Sequence, residues 1–239
     1  MGVVENIAGL TPDEIEDVEK LTSRWLFRAA FDFGFDAYDI FLNSPDDVQD
    51  VAEDVTRELL DRLPGYNTPQ RVFGNVDYKK ARYIVLPDRV IRQALFVDSK
   101  AEKDDRSATI QMSQTSMVIK QVRGGAVIER AGLLPAVAEY GGQEYLTTTA
   151  LLHYCYQEIE GRRQLQGLTL SCIPNGRLQQ RYNPDAERTF WIAGRNAPTR
   201  GEVFRARLSF HRLSRMCAWR VQRVNYDAIS RTCFGSWSE

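Results

Sequence analysis

The first quarter of the chain repeats apolar residues at the spacing of an α-helix. Residues 11–14 read Thr-Pro-Asp-Glu, a capping box with proline at the first helical position, and predict a helix start. The apolar positions that follow are Ile15, Val18, Leu21, Trp25 and Leu26. Residues 44–47 predict a second helix start, and that helix should stop at Pro64 and Gly65. We therefore expect residues 1–63 to be helical.

Beyond Gly65 the pattern changes to the two-residue alternation that is typical of β-strands. The predicted strands cover residues 72–78, 82–86, 94–100, 147–156, 165–173, 201–211 and 219–226. A helix over 147–156 is an open alternative, because its apolar residues fit both periods. The charged residues 101–107 predict a loop. Helices followed by strands indicate an α/β or α+β chain with a mixed central sheet flanked by helices.

The composition is that of one ordinary globular domain. The 239 residues are 43% hydrophobic and 26% charged, which is too apolar for a disordered chain. No signal peptide and no apolar run of about 18 residues is recognisable, so we expect a cytoplasmic protein. The four cysteines form no C-x-x-C pair and are interpreted as reduced, buried thiols. His153 and His211 fall in predicted strands and are interpreted as strand residues rather than catalysts.

The net charge of −1 hides a strong asymmetry along the chain. Residues 1–63 hold 16 acidic and 5 basic side chains, whereas residues 64–239 hold 26 basic and 16 acidic ones. Residues 175–239 alone contain 12 arginines, no lysine and 5 acidic residues. Arginine suits bidentate contacts to phosphate and guanine, so the bias favours a nucleic-acid partner, with the acidic helices away from it. An arginine-rich solvated surface is the alternative.

The most informative segment for chemistry is the predicted strand over residues 94–100. Four apolar residues lead into Asp98-Ser99-Lys100, and the two-residue period places Asp98 and Lys100 on one face. A carboxylate there can hold a metal ion while the neighbouring ammonium contacts the attacking water or the phosphate. Alone this D-x-K spacing is weak, because 32 acidic residues and 6 lysines give roughly one such pair by chance.

A second D-x-K match lies at Asp77 and Lys79, where further cationic residues follow and no apolar run of the same kind precedes. We interpret Asp77 as the first carboxylate, brought beside Asp98 by a hairpin whose middle strand is 82–86. Two carboxylates on neighbouring strands suit Mg²⁺, which prefers oxygen ligands and stabilises charge on a phosphate under attack by water. Two surface salt bridges are the competing interpretation.

Two further sets of residues are candidates for the site. Glu53, in the second predicted helix, is a candidate indirect metal ligand, although such residues more often solvate a helix. The predicted strand after Arg200 places Arg205 and Arg207 on one face. Each could grip the O6 and N7 of a guanine and discriminate it by about 1–3 kcal/mol. A cross-strand salt bridge with Glu202 is the alternative.

Taken as a set, several segments resemble the SfiI family of type II restriction endonucleases. They read FGNVDYK at 73–79, VDSKA at 97–101, YNPD at 182–185 and PTRGEV at 198–203, with Gln114, Ala193-Gly194, Trp219-Arg220 and, near the start, Val18-Glu19-Lys20. The likeness runs in order along nearly the whole chain. It implies the PD-(D/E)XK fold and an enzyme that cuts double-stranded DNA at a GC-rich, interrupted palindrome, leaving 5′-phosphate ends.

Carried over by position, the resemblance also implies the roles of the site residues. Asp77 and Asp98 are expected to bind Mg²⁺, and Lys100 is expected to be the catalytic lysine. The backbone carbonyl of Ser99 is expected to complete the metal shell. The chain departs from the nominal PD motif at Val76, which replaces the proline of that motif.

For DNA binding the expected residues are Arg106, near the cleavage loop, and Arg200, Arg205 and Arg207. A palindromic site cut on both strands needs two active sites related by a two-fold axis, so a homodimer is the minimum. The resemblance implies a tetramer, because family members of this type bridge two DNA sites as tetramers, and a dimer is the alternative. The cognate methyltransferase is expected to be a separate protein. We expect one endonuclease domain over 1–239, with the catalytic sheet in 64–120 and the DNA-reading region in 175–226.

Two other functions compete with this interpretation. One is a repair or recombination nuclease of the same fold that acts on branched or damaged DNA. The other is a DNA-binding protein without catalysis, which the combination of two acidic residues and a lysine disfavours.

Overall fold

The described part of this computed structural model comprises residues 6–63, 91–103, 115–194 and 206–239, together with the backbone of 71–72, 81–85 and 109–110. These residues form a central mixed sheet flanked by helices, which confirms the expected fold class. Among them, no helix combines the length and the apolar character needed to span a membrane.

The two long helices begin where the sequence predicted. Helix α1 (Pro12–Asn43) follows Thr11, whose hydroxyl accepts a hydrogen bond from the N–H of Glu14 while the Glu14 carboxylate accepts one from the N–H of Thr11. Helix α2 (Val48–Asp61) follows Asp47, whose carboxylate accepts a hydrogen bond from the N–H of Gln49. Both caps satisfy backbone donors that a helix start otherwise leaves unpaired.

The main sheet packs against these helices. Its strands are β1 (Arg71–Val72), β2 (Ala81–Val85), β3 (Arg92–Lys103), β7 (Val137–Tyr140), β8 (Gln143–Ile159), β9 (Arg162–Ile173), β12 (Val221–Asp227) and β13 (Thr232–Phe234). In the described residues their order is β1-β2-β3-β8-β9-β12-β13, with β7 also paired to β8. β3 and β8 run parallel, and the other neighbouring strands run antiparallel. The predicted hairpin with β2 in its middle is confirmed. Residues 147–156 form a strand, as predicted, and the helical alternative is excluded.

Smaller elements complete the described structure. Strands β4 (Thr109–Ile110), β10 (Trp191–Ala193) and β11 (Ala206–Leu208) form one antiparallel sheet, and β5 (Val118–Arg123) pairs with β6 (Ala126–Ala131). The β5–β6 hairpin turns at Gly124-Gly125, where φ values of 58° and 80° require a backbone that glycine adopts most easily. Two short helices, α3 (Gln179–Tyr182) and α4 (Phe210–Met216), lie in the second half of the chain.

Three predictions of local structure were wrong. Residues 101–103 continue β3 instead of forming a loop, because the parallel ladder to β8 extends as far as Lys103. His211 lies in α4, since the alternation ends at Leu208 and the Ser209 hydroxyl then caps a helix by accepting from the N–H of Arg212. Residues 219–220 belong to a 3-10 turn that precedes β12.

Alternation along β3 gives its two faces different environments. Gln93 and Ser99 face the helices, since the Gln93 amide donates to the Thr22 hydroxyl of α1 at 2.8 Å and Ser99 contacts α2. Asp98 and Lys100 therefore point to the opposite face. The prediction that these two side chains share one face is confirmed.

A buried ion pair joins α1 to the turn before β12. Glu19 and Arg220 are both fully buried, and a guanidinium nitrogen of Arg220 donates to the Glu19 carboxylate at 2.8 Å. The second carboxylate oxygen accepts from the N–H of Asn175 at 2.7 Å, and the guanidinium stacks on the rings of Tyr182 and Trp219. Burial raises the pKa of Glu19, and the charge of Arg220 opposes that rise. Both residues lie in segments that carried the family resemblance.

Candidate active site

The candidate active site lies on the face of β3 that points away from α1 and α2. The Lys100 ammonium is 3.1 Å from one carboxylate oxygen of Asp98, and the two side chains are 28% and 12% exposed. Both are thus close together, largely shielded from solvent and still accessible. A carboxylate and an ammonium in this arrangement can bind a cation and an anionic phosphate next to each other.

Strand β8 lies next to β3 in the sheet and supplies the side chains beside Asp98 and Lys100. In the parallel register Asp98 lies opposite Leu151 and Lys100 lies opposite His153. His153 is fully buried, with its Nε2 atom 3.5 Å from the Glu102 carboxylate and its ring centroid 5.5 Å from that of Phe210 in α4. The active face is therefore bounded by apolar and aromatic side chains on the β8 side, which strengthens electrostatic interactions at the site. His153 is confirmed as a strand residue.

Ser99, between the two charged residues, is held by α2 at two points. Its hydroxyl donates to the Thr56 hydroxyl at 2.7 Å, and Thr56 is in turn 2.8 Å from the Tyr154 hydroxyl of β8. Its backbone carbonyl accepts a hydrogen bond from the Gln49 side-chain amide at 2.8 Å. Burial raises the pKa of Tyr154, so this phenol stays neutral and serves as a hydrogen-bonding group.

The contacts of Gln49 and Thr56 are the part of the site that sequence reasoning missed. The two residues are seven positions apart in α2, which puts them two helical turns apart on one face. That spacing was visible in the sequence as a pair of polar residues on one side of an amphipathic helix. Nothing in the sequence indicated that this side packs on the D-x-K strand.

Of the predicted site residues, the structure brings together Asp98, Ser99 and Lys100. Glu53 is exposed and lies one helical turn beyond Gln49 in α2. The predicted partner carboxylate, Asp77, lies outside the described residues.

The predicted DNA-binding arginines are only partly described. Arg106, Arg200 and Arg205 lie outside the described residues. Arg207 lies in β11, paired in register with Ile192 and Thr109. Arg207 is half-buried, and its neighbours Ala206 and Leu208 are fully buried. The predicted division of this strand into a core face and an arginine face therefore holds at these three positions.

The donors at β3 suit a hard divalent cation. The Asp98 carboxylate and the Ser99 carbonyl are adjacent along the strand, and both are the oxygen ligands that Mg²⁺ prefers. Within the described ranges, no three His, Cys, Asp or Glu side chains are grouped to hold a metal ion. The thiols do not contribute, since the four cysteines are free and are buried or partly buried, as the sequence predicted.

The chain is similar to one known protein family and to solved structures. It matches the model of the family described as "Type II restriction enzyme SfiI" over residues 28–224. SfiI from Streptomyces fimbriatus is 35% identical over 245 residues, which cover 96% of this chain and 91% of that enzyme. The crystal structure of tetrameric restriction endonuclease SfiI bound to cognate DNA superposes with a TM-score of 0.83 at 30% identity, over 100% of this chain and 98% of that one.

A second solved structure extends the likeness in fold. The restriction endonuclease BglI, bound to its DNA recognition sequence, superposes with a TM-score of 0.72 over 88% of this chain and 90% of that chain. At 14% identity this likeness shows the fold alone.

The fold, the D-x-K strand and these relatives together define a type II restriction endonuclease. Within that class, the chain belongs to the SfiI family. The family resemblance drawn from the sequence is confirmed.

Proposed function

We propose that this endonuclease hydrolyses phosphodiesters of double-stranded DNA with Mg²⁺ held by Asp98, Asp77 and the carbonyl of Ser99. The observation that carries the proposal is the Asp98–Lys100 pair, 3.1 Å apart on the partly open face of β3, in a chain of a type II family. When bound, Mg²⁺ would supply Lewis-acid stabilisation of the charge that develops on the phosphate. Glu53 is the candidate for an additional acidic residue that binds the metal ion indirectly.

The roles of the protein's own residues follow from their chemistry. The Lys100 ammonium, with three donors, holds the attacking water or a non-bridging phosphate oxygen beside Asp98. The Asp98 carboxylate keeps Lys100 oriented through their hydrogen bond. The buried side chains of β8 exclude water from one side of the site, so these charges act in a medium of low effective dielectric constant. In-line attack then gives 5′-phosphate and 3′-hydroxyl ends.

We further propose that the arginine-rich region reads the DNA sequence. Arg205 and Arg207 are the base-reading candidates, and Arg106 and Arg200 are candidates for contacts near the cleaved strand. Arginine gives bidentate contacts to guanine, which favours a GC-rich target. The family resemblance implies that this target is an interrupted palindrome. SfiI itself is tetrameric and bound to cognate DNA in its crystal structure, which supports a DNA-bound homo-oligomer here. A cognate methyltransferase would be a separate protein that protects the host's DNA.

Digestion of a long, fully sequenced duplex tests this proposal. The purified protein is incubated in Mg²⁺ and in chelator, beside Asp98→Ala and the control Asp36→Ala, which removes an exposed carboxylate paired with Arg62 on the helical side. We expect discrete, Mg²⁺-dependent fragments from the wild type and the control, and none from Asp98→Ala at unchanged Tm. Sequencing the fragment ends gives the site and the cut position.

The same assay separates the competing functions. A smear, or cutting of branched DNA without cutting of intact duplex, would favour a repair nuclease. Cleavage by Asp98→Ala at the wild-type rate would overturn the site assignment. Binding to duplex without cleavage in any divalent cation would favour a non-catalytic DNA-binding protein.

A further inference from the structure

One contact links α2 directly to the peptide group between Asp98 and Lys100. The Gln49 amide donates to the backbone carbonyl of Ser99 at 2.8 Å in a partly buried position. In the described part of the chain, the ladder from β2 to β3 ends at Phe96, three residues before Ser99. Among the described residues, a side chain of α2 therefore donates to this carbonyl.

The Ser99 carbonyl oxygen can bind a cation as well as accept this hydrogen bond. A carbonyl oxygen carries two lone pairs, so the hydrogen bond from Gln49 does not by itself prevent this oxygen from binding a cation. A hydrogen bond from a fixed donor also restricts the direction of the C=O group. Mutating a group that holds a metal ligand in this way typically costs about 10–100-fold in metal affinity or activity.

We propose that Gln49 is a positioning residue that orients the Ser99 carbonyl as a metal ligand and thereby sets the affinity of the site for divalent cations. This inference rests on the proposed metal site at Asp98. Gln49 touches neither the metal nor DNA in this proposal and acts only through the carbonyl. Its amide keeps the carbonyl hydrogen-bonded before a cation arrives, so the ligand is oriented in advance.

Thr56 provides a matched control on the same helix and the same partner residue. It binds the Ser99 hydroxyl rather than the carbonyl, and it is linked onward to Tyr154. Thr56→Val removes that attachment of α2 while leaving the Gln49 contact in place. If Gln49 merely fastened α2 to β3, the two variants would have similar effects.

The test uses the full chain and Mn²⁺ as the probe. Electron paramagnetic resonance measures the concentration of free Mn²⁺, so it reports metal binding independently of DNA cleavage. Gln49→Met, which keeps the side-chain length and removes the donor, is compared with Thr56→Val, Asp98→Ala and the wild type. We expect Gln49→Met to raise the Kd for Mn²⁺ by about 10–100-fold at nearly unchanged Tm. Thr56→Val should lower the Tm and leave the Kd within about twofold. Gln49→Ala is the second variant if Gln49→Met does not fold.

Two outcomes would overturn the proposal in different ways. If Gln49→Met binds Mn²⁺ like the wild type while Asp98→Ala loses binding, the positioning role is wrong and the metal site stands. Equal losses of affinity in Gln49→Met and Thr56→Val would also refute a role specific to the carbonyl. If the wild type shows no binding that depends on Asp98, the proposed metal site itself fails.

Discussion

Glu19 and Arg220 form a fully buried ion pair between residues 201 positions apart in the chain. Removing one partner of such a pair leaves an uncompensated charge in the core, which typically costs about 3–5 kcal/mol. We therefore expect Arg220→Met to lower the free energy of unfolding by that amount, measured by urea denaturation with circular dichroism.

The double variant Glu19→Leu with Arg220→Met is the informative control. Replacing both charges by apolar groups removes the desolvation cost together with the attraction, so it should recover much of the lost stability. A double variant that is less stable than either single one would show that the surrounding hydrogen bonds, such as that to Asn175, dominate instead.

Gly34 allows α1 to approach β13 closely. A Cβ atom at this position would overlap the Cys233 sulfur and lie 3.1 Å from the Tyr226 ring. Gly34→Ala should therefore destabilise the protein by about 1–3 kcal/mol through overpacking, although alanine alone favours helix. Thermal unfolding measures the loss. Adding Cys233→Ala should restore part of it, and a Gly34→Ala variant that is more stable than the wild type would contradict this packing.

The cysteines should react with a thiol reagent in an order set by burial. Burial, together with the negative charge of Glu19, raises the pKa of Cys172. At pH 8 the Cys172 thiol should stay protonated and react only when the protein unfolds, whereas the partly buried Cys217 and Cys233 should react in the native protein. Absorbance on adding a disulfide reagent follows both phases. The double variant Cys217→Ser with Cys233→Ser should remove the fast phase, and rapid labelling of Cys172 in the native protein would contradict its burial.

Arg207 gives a test of the proposed DNA-reading region. If Arg207 contacts a guanine, Arg207→Ala should raise the Kd for the mapped recognition duplex about fivefold to 150-fold, from a loss of roughly 1–3 kcal/mol. Gel-shift titration in Ca²⁺ measures this without cleavage. Arg28→Ala, which removes an exposed arginine paired with Asp32 on α1, should leave the Kd unchanged. Equal binding by Arg207→Ala and the wild type would exclude base contact by Arg207.

Short sequence patterns predicted those features of the structure that depend on residues close together in the chain. The capping box at Thr11 and the alternation through Asp98 and Lys100 act over a few positions, and the structure has both where the sequence indicated. The contact from Gln49 to Ser99 spans 50 positions and depends on how α2 packs, which no short pattern encodes. The helix after Ser209 was missed because its seven residues follow an alternating segment that predicts a strand.

The role of Glu19 could not have been predicted from composition either. An acidic residue in an acidic, amphipathic helix is ordinarily solvated, and the docking of Arg220 together with the hydrogen bond from the Asn175 N–H makes the burial of Glu19 tolerable. The family resemblance pointed to both residues, but it gave no reason for them. The reason is tertiary, because α1 crosses the sheet where the turn before β12 returns to it.

The order of synthesis gives the buried pair a further consequence. At about 5–20 residues per second, a ribosome needs roughly 10–40 s to make the 201 residues that separate Glu19 from Arg220. Throughout that interval α1 lacks its counterion and strand β12, and for most of it α1 also lacks strand β9, whose last residue is Ile173. The nascent enzyme therefore cannot complete its core before the arginine-rich region has emerged, and a chain interrupted earlier would expose α1 to chaperones and proteases.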